Sequence, residues 1–404
     1  MNSLIKLRNS ALILAMGAMV LTSCEDDDEG TPPPGGGGGG GDDQSVLITS
    51  NTTWTADSVY VLDGRVTVVD GVTLTIEPGT IIKGRSGSGA NATALIIARG
   101  ARIMAEGTPQ LPIIFTSAAD EIEPEDVAAG NYGSPNLGSD VNGLWGGVIV
   151  LGRAPISASS SDGDVDEVQI EGIPTSDANG LYGGDNPADN SGTLRYISIR
   201  HGGTNIGAGN EINGLTMGGV GTGTTIDNIE VVANQDDGFE WFGGTVNSTN
   251  LVVWNNGDDG LDTDQSWSGT ADNFVVIGAT GHCFELDGPE GSFQAGHTIR
   301  NGSIKASFNG RVSEDLINTD DNSIVDLQDI YITDVVSGQV INRVDHVEGT
   351  VNYTDISIDV DGADLPNYVN GAVPAGVTAG GTPQADISGF DWTWTKQAGA
   401  MSGL

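Results

Sequence analysis

The segment Val66–Gly84 reads VTVVDGVTLTIEPGTIIKG, and two similar segments follow it, ALIIARGARIMAEGT at Ala94–Thr108 and LPIIFTS at Leu111–Ser117. In each, apolar and polar residues alternate over about five positions, which predicts short β-strands, and Gly, Pro and Asp between them predict turns. The connections are too short for the crossover helix of a βαβ unit, which needs about a dozen residues. We therefore expect strands that follow one another directly through tight turns.

Similar strands recur through the rest of the chain at intervals of about 20 to 30 residues, a period that is typical of a solenoid. They are WGGVIVLG, LRYISIRHGG, IDNIEVVANQDD, TNLVVWNNGDD, ADNFVVIGATGH, IVDLQDIYITD and VNYTDISIDVDG. Coils of three short strands stacked in parallel satisfy this pattern through backbone ladders between coils and stacked apolar side chains inside. The sequence thus predicts an all-β fold, a right-handed parallel β-helix over residues 45–404.

Two segments rich in Asp, Gly, Ser, Asn and Pro interrupt the coils, at residues 118–141 and 158–190. On a β-helix such segments are loop insertions between strands, and they either carry function or are solvated excursions without a ligand. Near the C-terminus, FDWTWTK (Phe390–Lys396) predicts a capping strand whose aromatic residues close the apolar end of the solenoid.

The N-terminus has the pattern of an export signal. Lys6 and Arg8 precede the apolar run Ala11–Leu21, which is too short to remain as a membrane-spanning helix. The run ends in LTSC (Leu21–Cys24), which resembles a bacterial lipobox. This resemblance implies a signal peptide at residues 1–23 and lipidation of Cys24, palmitate being among the acyl groups.

Residues 24–44 predict a tether, because an acidic run, three prolines and seven glycines follow one another there. The acidic run Glu25–Glu29 resembles the export signal of surface-exposed lipoproteins in Bacteroidota. The resemblance implies that the chain is anchored by lipid at the outer face of the outer membrane.

Charge and cysteine content argue against a nucleic-acid-binding protein and against a disulfide-stabilised one. The chain has 55 Asp and Glu against 15 Lys and Arg, a net charge of -40, which argues against nucleic acid as a partner because phosphate contacts need clustered Lys and Arg. Once Cys24 is lipidated, Cys283 is the remaining cysteine, so no disulfide forms within the mature chain, and a small buried residue is expected there.

Longer stretches resemble known β-helix proteins. IEPGTIIKG, LIIARGARIMAEGT and PIIFTS are similar to the opening coils of bacterial β-helix surface proteins. The run from GLWGGVIVLGRAPI through GTLRYISIRHGG to IDNIEVVANQDDGFEWFGGTVN resembles a group of Bacteroidota surface lipoproteins. The resemblance implies a pectin-lyase-like β-helix body and implies no particular activity.

Two near copies stand out in the later coils, NQDDGFE at Asn234–Glu240 and NGDDGLD at Asn256–Asp262, which begin 22 residues apart. Equivalent residues of successive coils lie about 4.8 Å apart in a parallel solenoid, so aligned coils form columns. The predicted columns are Phe239, Leu261 and Phe284 facing inward; Glu240, Asp262 and Glu285; Phe242, Asp264 and Asp287; Asp237, Asp259 and His282; and Asp236, Asp258 and Gly281.

Stacked acids allow three interpretations. In the first, Asp-Gly makes the same exposed turn twice and binds nothing. In the second, the acids hold Ca²⁺, which prefers carboxylate oxygens. Carboxylates about 5 Å apart repel by about 3 kcal/mol at an effective dielectric constant of 20, so a partly covered column of them requires a compensating cation. The predicted ligands are Asp258, Asp259, Asp262, Asp264, Glu240, Glu285 and Asp287.

The third interpretation is a glycoside hydrolase. The order Asp237, Asp258-Asp259 and Gly281-His282 resembles the polygalacturonase group. The resemblance implies that Asp258 is the general acid, that Asp237 and Asp259 activate water, and that His282 supports them. The family's Arg-Ile-Lys substrate clamp is missing, and Arg300 and Lys305 are the nearest candidates.

Aromatic residues near the acids suggest a carbohydrate platform. Trp241, Trp254 and Trp267 would stack on sugar rings, with Arg300 and Lys305 as further ligand contacts, or they would simply cover the core edge. We expect a surface lipoprotein that binds extracellular polysaccharide, with Ca²⁺ as a candidate cofactor. The alternatives are a hydrolase acting on an acidic glycan and a structural envelope or adhesion protein, and the sequence leaves catalysis and any transporter partner open.

Overall fold

The computed structural model describes residues 45–206 and 212–404. The predicted signal peptide, Cys24 and the tether lie outside the described residues. In chain order the strands are β1 (Ser45–Ile48), β2 (Thr52–Trp54), β3 (Val59–Leu62), β4 (Arg65–Val68), β5 (Thr73–Ile76), β6 (Ile81–Gly84), β7 (Ala94–Ile97), β8 (Arg102–Glu106), β9 (Ile113–Ser117), β10 (Val148–Leu151), β11 (Ala158–Ser160), β12 (Gly163–Val165), β13 (Val168–Gln169), β14 (Leu181–Tyr182), β15 (Gly192–Arg200), β16 (Leu215–Gly218), β17 (Thr225–Val232), β18 (Phe239–Phe242), β19 (Ser248–Trp254), β20 (Leu261–Asp264), β21 (Thr270–Ile277), β22 (Phe284–Leu286), β23 (His297–Lys305), β24 (Ser307–Phe308), β25 (Arg311–Val312), β26 (Asn318–Thr319), β27 (Ile324–Thr333), β28 (Thr350–Ile358) and β29 (Val377–Ala379). The helices are α1 (Pro124–Ala128) and α2 (Trp394–Gln397), with short 3-10 turns at Gly89–Asn91, Ala178–Gly180, Leu365–Tyr368 and Ile387–Gly389.

Two large parallel sheets form the solenoid. The first has nine strands in the order β1-β4-β7-β10-β16-β18-β20-β22-β26, and the second has fourteen, beginning β2-β5-β8-β15 and ending β27-β28-β29. Each coil contributes one strand to the first sheet and then crosses to the second. In the early coils the second sheet receives two short strands per coil, and from β15 onward one long strand replaces them. The predicted all-β parallel β-helix is confirmed.

The interior is a continuous apolar stack. Phe239 pairs with Leu261, and Leu261 pairs with Phe284, in the register that the aligned sequences predict. All three side chains are fully buried in the main core, as is Cys283. Burial of apolar area in every coil is the main favourable term in the folding of such a solenoid.

Each long strand of the second sheet bends at one residue in the left-handed backbone region. The bend residues form a column with φ between 50° and 59°: Tyr196, Asn228, Asn250, Asn273, Asn301, Asp329 and Asp355. Asn and Asp tolerate this conformation better than other side chains. Their amides also connect coils, since Nδ2 of Asn273 donates to Oδ1 of Asn250 at 2.7 Å.

The insertion at residues 158–190 lies on the outer face of the nine-strand sheet. It contains the two hairpins β11–β12 and β13–β14. Its residues Ile170, Ile173 and Tyr182 pack with Phe242 in a second apolar cluster. The insertion at residues 118–141 contains α1 and packs through Ile122, Val127 and Tyr132 against the second sheet.

The C-terminal segment differs from the prediction of a capping strand. Residues Phe390–Lys396 form no strand and run across the outer face of the fourteen-strand sheet, where Trp392 packs with Ile114 and Tyr132. The prediction was wrong because that outer face is itself apolar: it presents Val232, Val252, Trp254, Val275 and Ile277 to Phe390, Ala400 and Met401. No helix in the described part of the chain is long and apolar enough to span a bilayer.

Candidate functional site

The acidic doublets form turns that lead into β18 and β20. Inside each turn the asparagine is fully buried and its amide donates to turn carbonyls: Asn234 Nδ2 to the carbonyl of Asp237 at 2.9 Å, and Asn256 Nδ2 to that of Asp258 at 3.0 Å. These bonds add to the backbone hydrogen bonds that the same carbonyls accept from the neighbouring coil, from Gly214 to Asp237 and from Gly281 to Asp258. The asparagine therefore shapes the turn in both copies.

The second aspartate of each doublet connects one coil to the next. The backbone N–H of Asp237 donates to Oδ1 of Asn213 at 3.3 Å, and the N–H of Asp259 donates to Oδ1 of Asp237 at 2.8 Å. The N–H of His282 donates to Oδ1 of Asp259 in the same way. Asn213 was not among the residues predicted for this column, although Asn213-Gly214-Leu215 aligns with Asp237-Gly238-Phe239 one coil later.

An acidic column runs along the outer face of the nine-strand sheet. Glu240 pairs with Asp262, and Asp262 pairs with Glu285, as the alignment predicts. The column continues to Asn318. Asp264 pairs with Phe242 in the neighbouring column. Equivalent side chains in such columns are one strand spacing apart, about 4.8 Å.

Burial makes this column electrostatically unusual. It is the largest cause that raises the pKa values of Asp237, Glu240 and Asp262 well above the ordinary range, and neighbouring acids add to it. The same causes raise the pKa of Asp264 to about 7 and that of Glu285 to about 9. Buried carboxylates next to one another remain charged only if a cation compensates them.

The structure distributes five of the seven predicted calcium ligands among three groups, two of which share Asp237. Within a group, one ligand atom from each residue lies within 4.8 Å of the others. In the described part of the chain the groups are Asp236, Asp237 and Asp258; Asp237, Glu240 and Asp262; and Asp259, His282 and Glu285. Asp264 and Asp287 belong to none of them. One ion therefore cannot bind all seven predicted residues.

His282 belongs to the mixed group. Its Nδ1 lies 3.1 Å from Oδ1 of Asp259, and Asn318 Nδ2 lies 3.1 Å from its Nε2. Burial lowers the pKa of His282, but the hydrogen bond with Asp259 and the charges of nearby acids together outweigh it, so that the pKa is raised overall. Asn318 also donates to Glu285 at 3.2 Å, so these side chains satisfy one another.

The predicted aromatic platform is wrong. Trp241, Trp254 and Trp267 are 0%, 4% and 1% exposed. Trp241 and Trp267 stack at 4.7 Å between ring centroids inside the solenoid, and the indole N–H of Trp267 donates to the carbonyl of Val246. Trp254 lies under Trp394 of the C-terminal segment. The rings occupy inward or covered positions, so none can stack on a sugar.

The predicted basic contacts have partners elsewhere. Arg300 pairs with Asp272 on the fourteen-strand sheet at 2.8 Å. Nζ of Lys305 donates to the carbonyls of Ala400 and Ser402, at 2.9 and 2.6 Å. Neither side chain is bonded to the acidic turns. Arg300 and Lys305 therefore do not form the substrate clamp that the sequence hypothesis requires.

The comparison with protein families agrees with the fold. The family described as a pectate-lyase-like β-helix domain matches residues 46–133 and 134–367. No curated protein matches the chain. Among solved structures, the deglycosylated pectin methylesterase of Aspergillus niger is similar over 87% of this chain and 96% of that chain, at 11% identity and a TM-score of 0.34. On the family match, the chain belongs to the pectate-lyase-like β-helix domain family.

Proposed function

We propose that this chain is a lipid-anchored protein of the outer-membrane surface that binds an extracellular acidic polysaccharide, with Ca²⁺ between protein and glycan. The lipobox-like signal ending at Cys24 and the acidic tether support a lipid-anchored location at the outer-membrane surface. Membership in a family whose description names pectate lyase supports a glycan ligand.

The group Asp236, Asp237 and Asp258 carries the proposal. These residues offer carboxylate oxygens within 4.8 Å of one another, at two turns of adjacent coils. Asp258 is exposed and Asp236 is half-buried, so an ion bound here keeps coordination positions toward solvent. Ca²⁺ takes about six to eight oxygens, and hydroxyl and carboxylate oxygens of a uronate chain can supply those that the protein does not.

The charge of the protein determines how the ligand must bind. A chain with a net charge of -40 repels an anionic polymer. A divalent ion at the exposed turn reverses that repulsion locally, because it binds carboxylates of both partners. Binding of an acidic glycan should therefore require Ca²⁺, whereas binding of a neutral glycan should not.

A glycan array probed with and without Ca²⁺ tests the proposal. We expect signals on uronate-containing glycans that EDTA removes. Asp258→Asn should abolish them, and Asp361→Asn, which removes one charge at an exposed site far along the chain, should not. Signals on neutral glycans alone, or none at all, would favour the structural envelope or adhesion protein instead.

Hydrolysis of an acidic glycan is the second candidate, and one observation favours it. Asp237 and Asp258 have oxygens within 4.8 Å, and burial and acidic neighbours raise the pKa of Asp237. This favours Asp237 as the proton donor, in place of Asp258, which the polygalacturonase resemblance implies as the general acid. Against it, Asp237 and Asp259 both accept backbone hydrogen bonds from the next coil. A reducing-sugar assay on polygalacturonate separates the two: release of new ends that Asp258→Asn abolishes would establish catalysis.

A further inference from the structure

The buried group Asp237, Glu240 and Asp262 shares Asp237 with the exposed group Asp236, Asp237 and Asp258, but differs from it in that all of its members are buried. These side chains are only 7%, 5% and 8% exposed, and each offers an oxygen within 4.8 Å of the other two. They come from two adjacent coils, because Glu240 and Asp262 are paired across β18 and β20. A ligand held by all three would connect these coils.

Two observations show that the protein's own groups leave one oxygen of this cluster without a hydrogen bond and its charge without a cation. Oδ1 of Asp262 is buried and has no hydrogen-bond partner among the described residues. In the same part of the chain, no ion pair involves Asp237, Glu240 or Asp262. Nδ2 of Asn213 donates to Oε2 of Glu240, but an amide does not neutralise a carboxylate. A buried charge without a partner is strongly unfavourable.

We infer that Asp237, Glu240 and Asp262 bind one divalent cation, Ca²⁺ by their chemistry, as a structural ion enclosed between two coils. All three donors are carboxylate oxygens, which favours a hard cation and excludes a thiolate or imidazole site. Two oxygens bound to one Ca²⁺ at about 2.4 Å can lie at most about 4.8 Å apart, and the cluster meets that limit.

The ion at Glu240 and Asp262 would be enclosed by protein, whereas the ion proposed at Asp236 and Asp258 would be open to solvent. Tyr182 and Phe242, from the inserted hairpins and from β18, pack together beside Glu240, so a glycan has no access to an ion held by the three buried acids. The inference does not rest on the proposed function. Its ion should persist through desalting, whereas an ion at Asp258 should exchange freely.

The test is metal content and thermal stability of the purified full chain, before and after stripping with EDTA. We expect about one retained calcium per chain after desalting, and a melting temperature that rises when Ca²⁺ is returned to the stripped protein. Asp262→Asn should lose the retained calcium and the Ca²⁺-dependent rise. Without Ca²⁺, this variant should melt no lower than the stripped wild type, because it lacks one repelling charge.

Controls separate this inference from the glycan proposal. Asp258→Asn should keep the retained calcium while losing glycan binding, and Glu240→Gln repeats the test if Asp262→Asn does not fold. Retained calcium in both buried-site variants would overturn the inference. The inference would also be overturned if the melting temperature of the wild type did not change with Ca²⁺, Mg²⁺ or Mn²⁺ but rose on acidification, since protons would then neutralise the cluster.

Discussion

Oδ1 of Asp237 accepts the backbone N–H of Asp259, the equivalent residue one coil later, at 2.8 Å. Asn213 and Asp259 make the same contact with their neighbours, so the repeated Asp-Asp-Gly is a ladder of side-chain acceptors between coils. The repeat therefore has a structural role in addition to the charge that it accumulates. The two roles can be separated by substitution.

Asp237→Ala should destabilise the fold by about 1–3 kcal/mol, because it leaves the buried N–H of Asp259 without an acceptor. Asp237→Asn keeps an oxygen in place and removes a charge from a crowded cluster, so it should be near neutral in EDTA. Urea unfolding of both variants in EDTA measures the difference. Equal losses in the two would show that the carboxylate charge matters here and that the acceptor does not.

Trp392→Ala should destabilise the protein by about 3–5 kcal/mol and expose the C-terminal segment to protease. Trp392 is buried against Ile114 of β9 and against Ile122 and Tyr132 of the insertion at residues 118–141, so its loss detaches the segment from the outer face. Phe293→Ala is the matched control, because Phe293 is an exposed aromatic residue and should change stability by about 0.5 kcal/mol or less. Unchanged unfolding of the Trp392 variant would mean that the segment adds little to the fold.

The strand repeat was readable from sequence because periodic apolar residues determine both the coil length and the register. That reasoning correctly aligned Phe239 with Leu261 and Phe284. The same alternation places Trp241 inside, because it lies two residues after Phe239 on β18, and the platform hypothesis was wrong in not applying it. Trp267 follows the end of β20, where strand alternation gives no prediction. Contacts between distant segments, such as Trp392 with Ile114, leave no periodic signal.

The bend residues and the hydrogen bonds between successive turns leave weaker patterns in the sequence than the apolar strand repeat does. Asn228, Asn250 and Asn273 recur once per coil inside otherwise apolar strands, which is a pattern that favours a left-handed backbone at each. The acidic columns were predicted, but their division into a buried group and an exposed group was not. That division depends on the inserted hairpins that pack against Phe242, and their position cannot be read from local sequence.

His297 should make the protein less stable in acid. Burial lowers its pKa to about 3, while an unfolded histidine titrates near its usual value of about 6.5. Between these values the unfolded chain binds a proton that the folded chain does not, so this stabilisation is present above pH 6.5 and is lost as pH falls toward 3. His297→Phe should flatten the dependence of unfolding free energy on pH between about 4 and 7. A variant with the wild-type slope would exclude His297 as a source of acid sensitivity.

Cys24→Ala should release the chain from membranes into the soluble fraction. Without an acyl chain, the acidic protein has no strong attraction to a bilayer surface. Fractionation of cells followed by protease treatment of intact cells measures anchoring and surface exposure separately. A variant that stays in the membrane fraction would show that something other than lipid at this cysteine holds the protein there.

Ca²⁺-dependent binding of an acidic glycan is best measured as retention of the purified chain on immobilised polygalacturonate while Ca²⁺ is raised to millimolar concentration. We expect the wild type and Asp361→Asn to be retained, EDTA to release both, and Asp258→Asn to pass through at every concentration. Retention that is independent of Ca²⁺, or equal retention of Asp258→Asn, would contradict the proposal.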